Sequence, residues 1–192
     1  PARTPAATAM AAVSLDVLSR GRFRLGLGVS GPQVSEGWHG VSFARPLTRT
    51  REYVEIVRVA LAREAPLEYA GSEFQLPIEG TGFGKPLKLL AKPVQERIPI
   101  YLGAIGPKSI EQTAEIADGW LPFLFSPKAD AFYRTALAEG FARRLSPRQT
   151  NAFSADTFEV AAAVPVIVHD NVEEAADFIR PFIALYVGGM GA

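Results

Sequence analysis

Along this chain the apolar positions switch between a period of about 3.6, which marks one face of a helix, and a period of about 2, which marks one face of a strand. Over Ala6 to Ser19 the apolar residues Met10, Val13, Val17 and Leu18 fall at roughly helical spacing, and Gly21 follows as a stop. Phe23 to Val29 alternates and ends in glycines, which predicts a strand. Glu52 to Arg63 predicts an amphipathic helix with Val54, Val57 and Leu61 on one side and charges on the other. Leu67 to Tyr69 and Phe74 to Leu76, separated by Ala70-Gly71-Ser72-Glu73, read as a small hairpin excursion within an insertion over 64–97, outside the main sheet.

The second half is more regular. Ile98 to Leu102 predicts a strand with its proline near the start, and Gly106-Pro107 opens a helix over 107–117 with proline at the first helical position. Trp120 to Phe125 predicts a short strand buried on both faces. Ser126-Pro127 starts the next helix, and Ser146-Pro147-Arg148-Gln149 has capping-box spacing. Phe158 to Val168 predicts a long apolar strand, and Asp170-Asn171-Val172-Glu173 caps a final helix reaching Leu185. Strands alternating with helices imply an α/β class with parallel strands and right-handed crossovers. Four main strands make half of a barrel or a small open sheet. A complete eight-unit barrel takes about 250 residues, so on the barrel reading this chain is a piece of one. Its ends read the same way. It opens Pro1-Ala2-Arg3 with no signal-peptide pattern and stops after Gly188-Gly189-Met190-Gly191.

Composition then narrows the chemistry. With 48% hydrophobic and 21% charged residues among 192, the chain is a globular protein and not a disordered one. Lys+Arg and Asp+Glu are each 20, which argues against a nucleic-acid partner. The absence of cysteine excludes disulfides, thiolate metal sites and a cysteine nucleophile. The two histidines, His39 and His169, lie far apart, which argues against a His-rich metal site. The apolar tail from Phe182 is too short and glycine-rich to span a bilayer.

Three stretches offer chemistry. Gly26-Leu27-Gly28-Val29-Ser30-Gly31 ends the first strand, at the edge of a parallel sheet where ligands sit and where glycine lets backbone approach them. Alone, such a stretch is equally an ordinary turn. Leu102-Gly103-Ala104-Ile105-Gly106-Pro107-Lys108-Ser109 ends a strand, turns on glycines and starts a helix whose free N–H groups and dipole favour an anion. Lys108 and the Ser109 hydroxyl add to that site; the competing reading is a plain capped helix. The spacing is neither a P-loop nor a dinucleotide fingerprint. Trp38 and His39 are candidates for a substrate pocket, with His39 as proton donor, against a packed structural role. His169 precedes Asp170 at a helix start and reads as part of the cap. Asp118-Gly119-Trp120 reads as a structural turn, and Glu111 with Glu115 as a solvated helix face.

Leu15-Asp16-Val17-Leu18-Ser19-Arg20-Gly21-Arg22-Phe23-Arg24-Leu25-Gly26-Leu27-Gly28 resembles a signature of the bacterial luciferase-like monooxygenase superfamily. Ile100 to Ala104, Gly106-Pro107-Lys108 and Ala114 to Trp120 are similar to its second signature. Gly28 to Val34 followed by Gly37-Trp38-His39-Gly40 resembles the branch that uses the deazaflavin coenzyme F420. The resemblance implies a (β/α)8 TIM barrel, of which the central to late strands are present in a single partial domain over 1–192. It also implies a flavin-type ring across the C-terminal mouth, held by Gly28, Val29, Ser30, Gly31, Leu102, Gly103, Ala104, Gly106, Pro107 and Lys108. The implied protein is a cytoplasmic oxidoreductase acting on a small molecule, with no membrane or nucleic-acid partner and a homodimer when complete. Hydride transfer with coenzyme F420 leads. An FMN-dependent monooxygenase and a non-catalytic, self-associating barrel fragment stand as alternatives. With half its strands, the chain by itself is expected to be inactive and marginally folded.

Overall fold

The structure, a computed structural model, describes residues 1–80, 82–144 and 155–189. The capping-box spacing at 146–149 and the residues Met190-Gly191 lie outside the described residues. The chain divides into two compact units, 1–162 and 163–192.

In the first unit the main elements are α1 (Pro5–Leu18), β1 (Leu25–Leu27), α2 (Pro32–Gly37), α3 (Pro46–Ala62), β2 (Tyr69–Ala70), β3 (Gln75–Leu76), β4 (Ile100–Ala104), α4 (Pro107–Ile116), β5 (Gly119–Pro122), α5 (Asp130–Arg143) and β6 (Glu159–Val160). Strands β1, β4, β5 and β6 form one parallel sheet in that spatial order, while β2 and β3 pair antiparallel as the predicted hairpin. The main strands therefore neighbour each other in sequence order, each pair joined by a helical crossover. A doubly wound sheet reverses its order at a switch point, and a barrel does not. The sheet is a segment of a (β/α)8 barrel.

Several element boundaries differ from expectation, and β4 runs Ile100–Ala104 rather than Ile98 to Leu102. The strand expected over Phe23 to Val29 pairs only at Leu25–Leu27; its start is set by β4, which begins at Ile100 behind Pro99, a residue with no N–H to donate. The long strand expected over Phe158 to Val168 is a two-residue β6. Its pairing with β5 stops at Trp120, because Pro122 has no N–H to donate to it, and Leu124 then turns the chain into the left-handed region at φ 50°. The same turn ends β5 before Phe125. Helix α3 starts at Pro46 rather than Glu52, with proline at its first position.

Two apolar clusters hold the helices on the sheet. Ala12 of α1 and Val54 and Val57 of α3 pack on Leu25, Ile100 and Leu102. Ile110 of α4 and Ala136 of α5 pack on Ala104 and Trp120. The expected α1 stripe is largely solvated, with Met10, Val17 and Leu18 exposed. Its buried face is Ala9, Ala12, Val13 and Asp16, small enough for α1 to lie close against α3. Asp16 tolerates burial because its carboxylate accepts the N–H groups of Val94 (2.7 Å) and Gln95 (3.0 Å) and the Gln95 side-chain amide (2.7 Å). The Glu111–Glu115 face is not solvated either. Glu111 takes Lys108 and Arg143, and Glu115 takes Arg51 and Arg143, because α5 and α3 pack over it.

The second unit carries α6 (Val172–Ala184). Asn171 caps it, accepting the N–H of Glu173 at 2.9 Å, and His169 Nδ1 accepts the Asn171 N–H at 3.0 Å. That is the capping role expected of His169. Among the described residues no helix is long and apolar enough to cross a membrane.

Candidate active site

Side chains alternate across a strand, so each main strand gives one set to the helices and one to the opposite face. Leu25, Ile100, Leu102 and Trp120 face the helices. Gly26, Tyr101, Gly103, Gly119, Leu121 and Glu159 belong to the opposite set. A Cβ on Gly26 would meet Leu121 Cδ1 at 3.2 Å, and one on Gly119 would meet the Tyr101 ring at 2.3 Å.

This opposite face is concave. Arg24 Nη1 donates to the Tyr101 hydroxyl (2.7 Å) and pairs with Glu159, and Tyr101 donates to the same Glu159 oxygen (2.7 Å). Arg24 precedes edge strand β1 and Glu159 lies on edge strand β6, three strand spacings or about 14 Å apart along a flat sheet. The two side chains meet because the sheet curls toward them, as barrel closure requires. The Tyr101 ring crosses β5 over Gly119, where a side chain would clash. Burial first, and then its hydrogen bond to Glu159, push the Tyr101 hydroxyl up to about 12, so it stays protonated.

One inward row closer to the C-terminal ends of the strands the character changes. A Cβ built on Gly103 would lie 3.6 Å from Leu27 O and 4.0 Å from Gly28 Cα, whereas one on Gly28 would meet nothing within 4 Å. The two glycine stretches singled out in the sequence thus come together at the ends of β1 and β4 and leave backbone open above them. Ser30 sits there at φ 65°, a left-handed conformation that side chains other than Gly, Asn and Asp avoid.

Beside Gly103, α4 begins. Gly106 is its N-cap, Pro107 takes the first position, and the N–H groups of Ser109 (3.1 Å) and Ile110 (3.0 Å) return to Gly106 O. Pro107 has no N–H, and those of Ser109 and Ile110 are taken by Gly106 O, so the Lys108 N–H and the helix dipole are what the first turn offers an anion. The side chains expected to help are engaged elsewhere. Lys108 Nζ donates to both Glu111 oxygens at 3.0 Å, and Ser109 Oγ donates to Gly106 O at 2.8 Å. Trp120 Nε1 fixes the strand end from behind by donating to Ala104 O at 2.9 Å.

Trp38 and His39 close the short helix α2, which leaves the end of β1 through Gly31-Pro32. Both backbone N–H groups return to Val34 O, and Ser35 Oγ donates to Val41 O at 2.8 Å, which shapes the turn. The Trp38 side chain is 82% exposed and His39 is exposed. No hydrogen bond or ring contact among the described residues joins either to the glycine strand ends. The helix itself was missed in the sequence, although Gly31-Pro32 is the same start signal as Gly106-Pro107. Among the described residues no group of three or more His, Asp or Glu could hold a metal.

A sheet with sequence-ordered parallel strands, glycine-opened C-terminal ends and a helix start beside them defines a barrel segment. The chain belongs to the luciferase-like monooxygenase family, whose pattern it matches over residues 1–189. It is 52% identical over 194 residues to a protein of Mycobacterium tuberculosis named a coenzyme F420-dependent oxidoreductase, covering 100% of this chain and 54% of that one. It is 32% identical to the 5,10-methylenetetrahydromethanopterin reductase of Archaeoglobus fulgidus, covering 97% of this chain and 50% of that one. Among solved structures, the coenzyme F420-dependent tetrahydromethanopterin reductase of Methanopyrus kandleri matches with a TM-score of 0.75 at 26% identity, over 97% of this chain and 53% of that one. An F420-dependent secondary alcohol dehydrogenase shares the fold with a TM-score of 0.74 at 19% identity, over 92% of this chain and 49% of that one. The chain spans about half the length of the curated relatives it matches.

Proposed function

We propose that the protein is an oxidoreductase that moves a hydride between coenzyme F420 and a small organic substrate. The observation that carries this is the meeting of Gly28 and Gly103 beside the first turn of α4, in a chain 52% identical to an F420-dependent oxidoreductase. The site suits such a group, because backbone without Cβ atoms admits a flat ring and the helix start suits a phosphate. When bound, the coenzyme supplies the hydride chemistry. The chain's own part is to bind, orient and exclude water. Gly28 to Gly31 and Gly103 form the bed for the ring, with Leu102 and Ala104 anchoring that strand end from the helix side, and Gly106, Pro107 and the backbone N–H of Lys108 receive the phosphate. Trp38 covers substrate, and His39 exchanges a proton with it. The full-length protein works as a homodimer.

The test is a titration with coenzyme F420, with FMN as the control. A Cβ on Gly106 would have only Ser109 Oγ within reach, at 3.9 Å, so Gly106→Val points its bulk into open space, and a melt beside the parent separates any N-cap cost from an effect on the ligand. We expect F420 to bind and FMN to bind more weakly, with Gly106→Val losing about tenfold in F420 affinity, or about 1.4 kcal/mol. Equal affinity of the variant would remove the α4 assignment, and preferential FMN binding would turn the reading to a flavin monooxygenase.

A further inference from the structure

The strand end that carries Gly103 is held by a side chain of the neighbouring strand. Ala104 is the last residue of β4 and stands in register with Pro122, the last residue of β5. Its carbonyl therefore lies where the ladder stops, and the donor it takes is the indole Nε1 of Trp120, at 2.9 Å in a buried bond. That carbonyl belongs to the peptide joining Ala104 to Ile105, between Gly103 and Gly106. Two glycines this close give the segment 103–106 extra backbone freedom, and a bound ligand requires that freedom to be given up. Gly106 O takes the N–H groups of Ser109 and Ile110, so the segment is pinned on both sides of Ile105.

The surroundings of Trp120 hold that donor still. Its side chain is buried in one cluster with Ala104, Ile110 of α4 and Ala136 of α5. The Tyr133 ring meets the indole edge to face with centroids 5.1 Å apart, and Phe125 does so at 6.4 Å. Strands β4 and β5 are the two inner strands of the sheet, and α4 joins them, so these contacts are all made between neighbours inside the chain. Phenylalanine would fill such a cluster as an apolar ring. What the indole adds is one N–H, aimed at a carbonyl between the two glycines of the coenzyme site.

We infer that Trp120 is a positioning residue of the coenzyme site: its indole N–H holds the Ala104–Ile105 peptide so that Gly103 and Gly106 are presented together, and it does so without touching the coenzyme. This rests on the function proposed above and adds a residue on which that site depends. The experiment uses the full-length protein and titrates it with whichever of coenzyme F420 and FMN binds the parent. Trp120→Phe keeps an aromatic ring and removes the donor, and is expected to raise the Kd about tenfold, the factor equivalent to about 1.4 kcal/mol. Val13→Ala opens a cavity in α1, outside the Trp120 cluster, and is expected to lower the melting temperature and keep the parental Kd. Combined with Gly106→Val, the loss is expected to fall short of the product of the two single losses, because both changes act on one segment. A parental Kd in Trp120→Phe, an equal loss in Val13→Ala, or a fully multiplicative double variant overturns the inference. Where Trp120→Phe does not fold, hydrogen exchange of the parent decides. The Trp120 indole N–H is expected to gain more protection from the coenzyme than the buried Ile100 N–H, which reports the core, and an equal gain overturns the inference. Binding of FMN in place of F420 counts against the proposed function alone, since the same ratio of Kd values is then read with FMN.

Discussion

The carboxylate of Asp118 accepts the backbone N–H of Ile100 at 2.8 Å, which ties the residue entering β5 to the first residue of β4. The same buried carboxylate takes the guanidinium of Arg58 at 3.1 Å and that of Arg97. Arg58 and Arg144 also donate to the last carbonyls of α4, at Ile116, Ala114 and Ala117. Burial first lowers Arg97 to about 10, against the attraction of Asp118. Removing this acid strands cationic groups in the core. Asp118→Asn is expected to cost about 3–5 kcal/mol. The check is a urea midpoint that falls with an unchanged slope.

Two glycines on the same concave face should behave oppositely. A Cβ on Gly119 would lie 2.3 Å from the Tyr101 ring and 2.8 Å from Glu159 O. Gly119→Ala is therefore expected to destabilise by about 1–3 kcal/mol through overpacking. A Cβ on Gly28 meets nothing within 4 Å, so Gly28→Ala should melt like the parent and show weakened binding of coenzyme F420. Thermal melts beside coenzyme titrations separate the two; a Gly28→Ala protein with parental affinity would move the ring away from β1.

Glu52 fastens the hairpin turn to α3. Burial pushes its carboxyl up, but the N–H groups of Glu73, Ser72 and Phe74 and the Ser72 hydroxyl outweigh that and hold it below the ordinary value. A depressed folded pKa gives stability that is complete above the unfolded value of about 4.3 and is lost as pH falls through the folded one. Glu52→Gln should flatten the acid limb of the melting temperature against pH and lower the neutral plateau. An acid limb as steep as the parent's would show that other carboxylates govern it.

Tyr101 has the opposite sign. Its folded pKa lies near 12, above the unfolded value of about 10, so its contribution is present below about 10 and is lost as pH rises toward 12. Tyr101→Phe should lower stability at neutral pH and reduce the alkaline loss. Denaturant midpoints on either side of that window measure it.

The periodicity made the class of fold and the parallel order legible, because α3, α4 and the buried strands carry strong patterns. Strand ends were not legible from one strand alone. Phe158 to Val168 has the composition of a long strand, but pairing is set by its partner, and β5 stops at Pro122. Glu111 and Glu115 looked solvated because helical spacing shows the charge and not the arginines that reach it from α3 and α5. The two glycine stretches were readable as strand-end turns leading into helices, since Gly-Pro at a helix start is a local signal. That Lys108 turns to Glu111 is a side-chain choice with no signature in the sequence. The aspartates of the two family signatures, Asp16 and Asp118, prove to be internal fasteners, accepting backbone N–H groups from distant segments.

The chain's two tryptophans stand in opposite settings: Trp120 is 1% exposed behind the end of β4, and Trp38 is 82% exposed at the end of α2. They amount to a built-in pair of optical reporters. Emission from Trp120 should be blue-shifted and sheltered from iodide, and should follow the integrity of the sheet. Emission from Trp38 should be red-shifted and readily quenched, and should follow what happens at the loop after β1. Replacing Trp38 with phenylalanine would isolate the first signal and, by difference from the parent, assign the second, so that in the unlabelled parent unfolding and events at the loop could be watched at separate wavelengths.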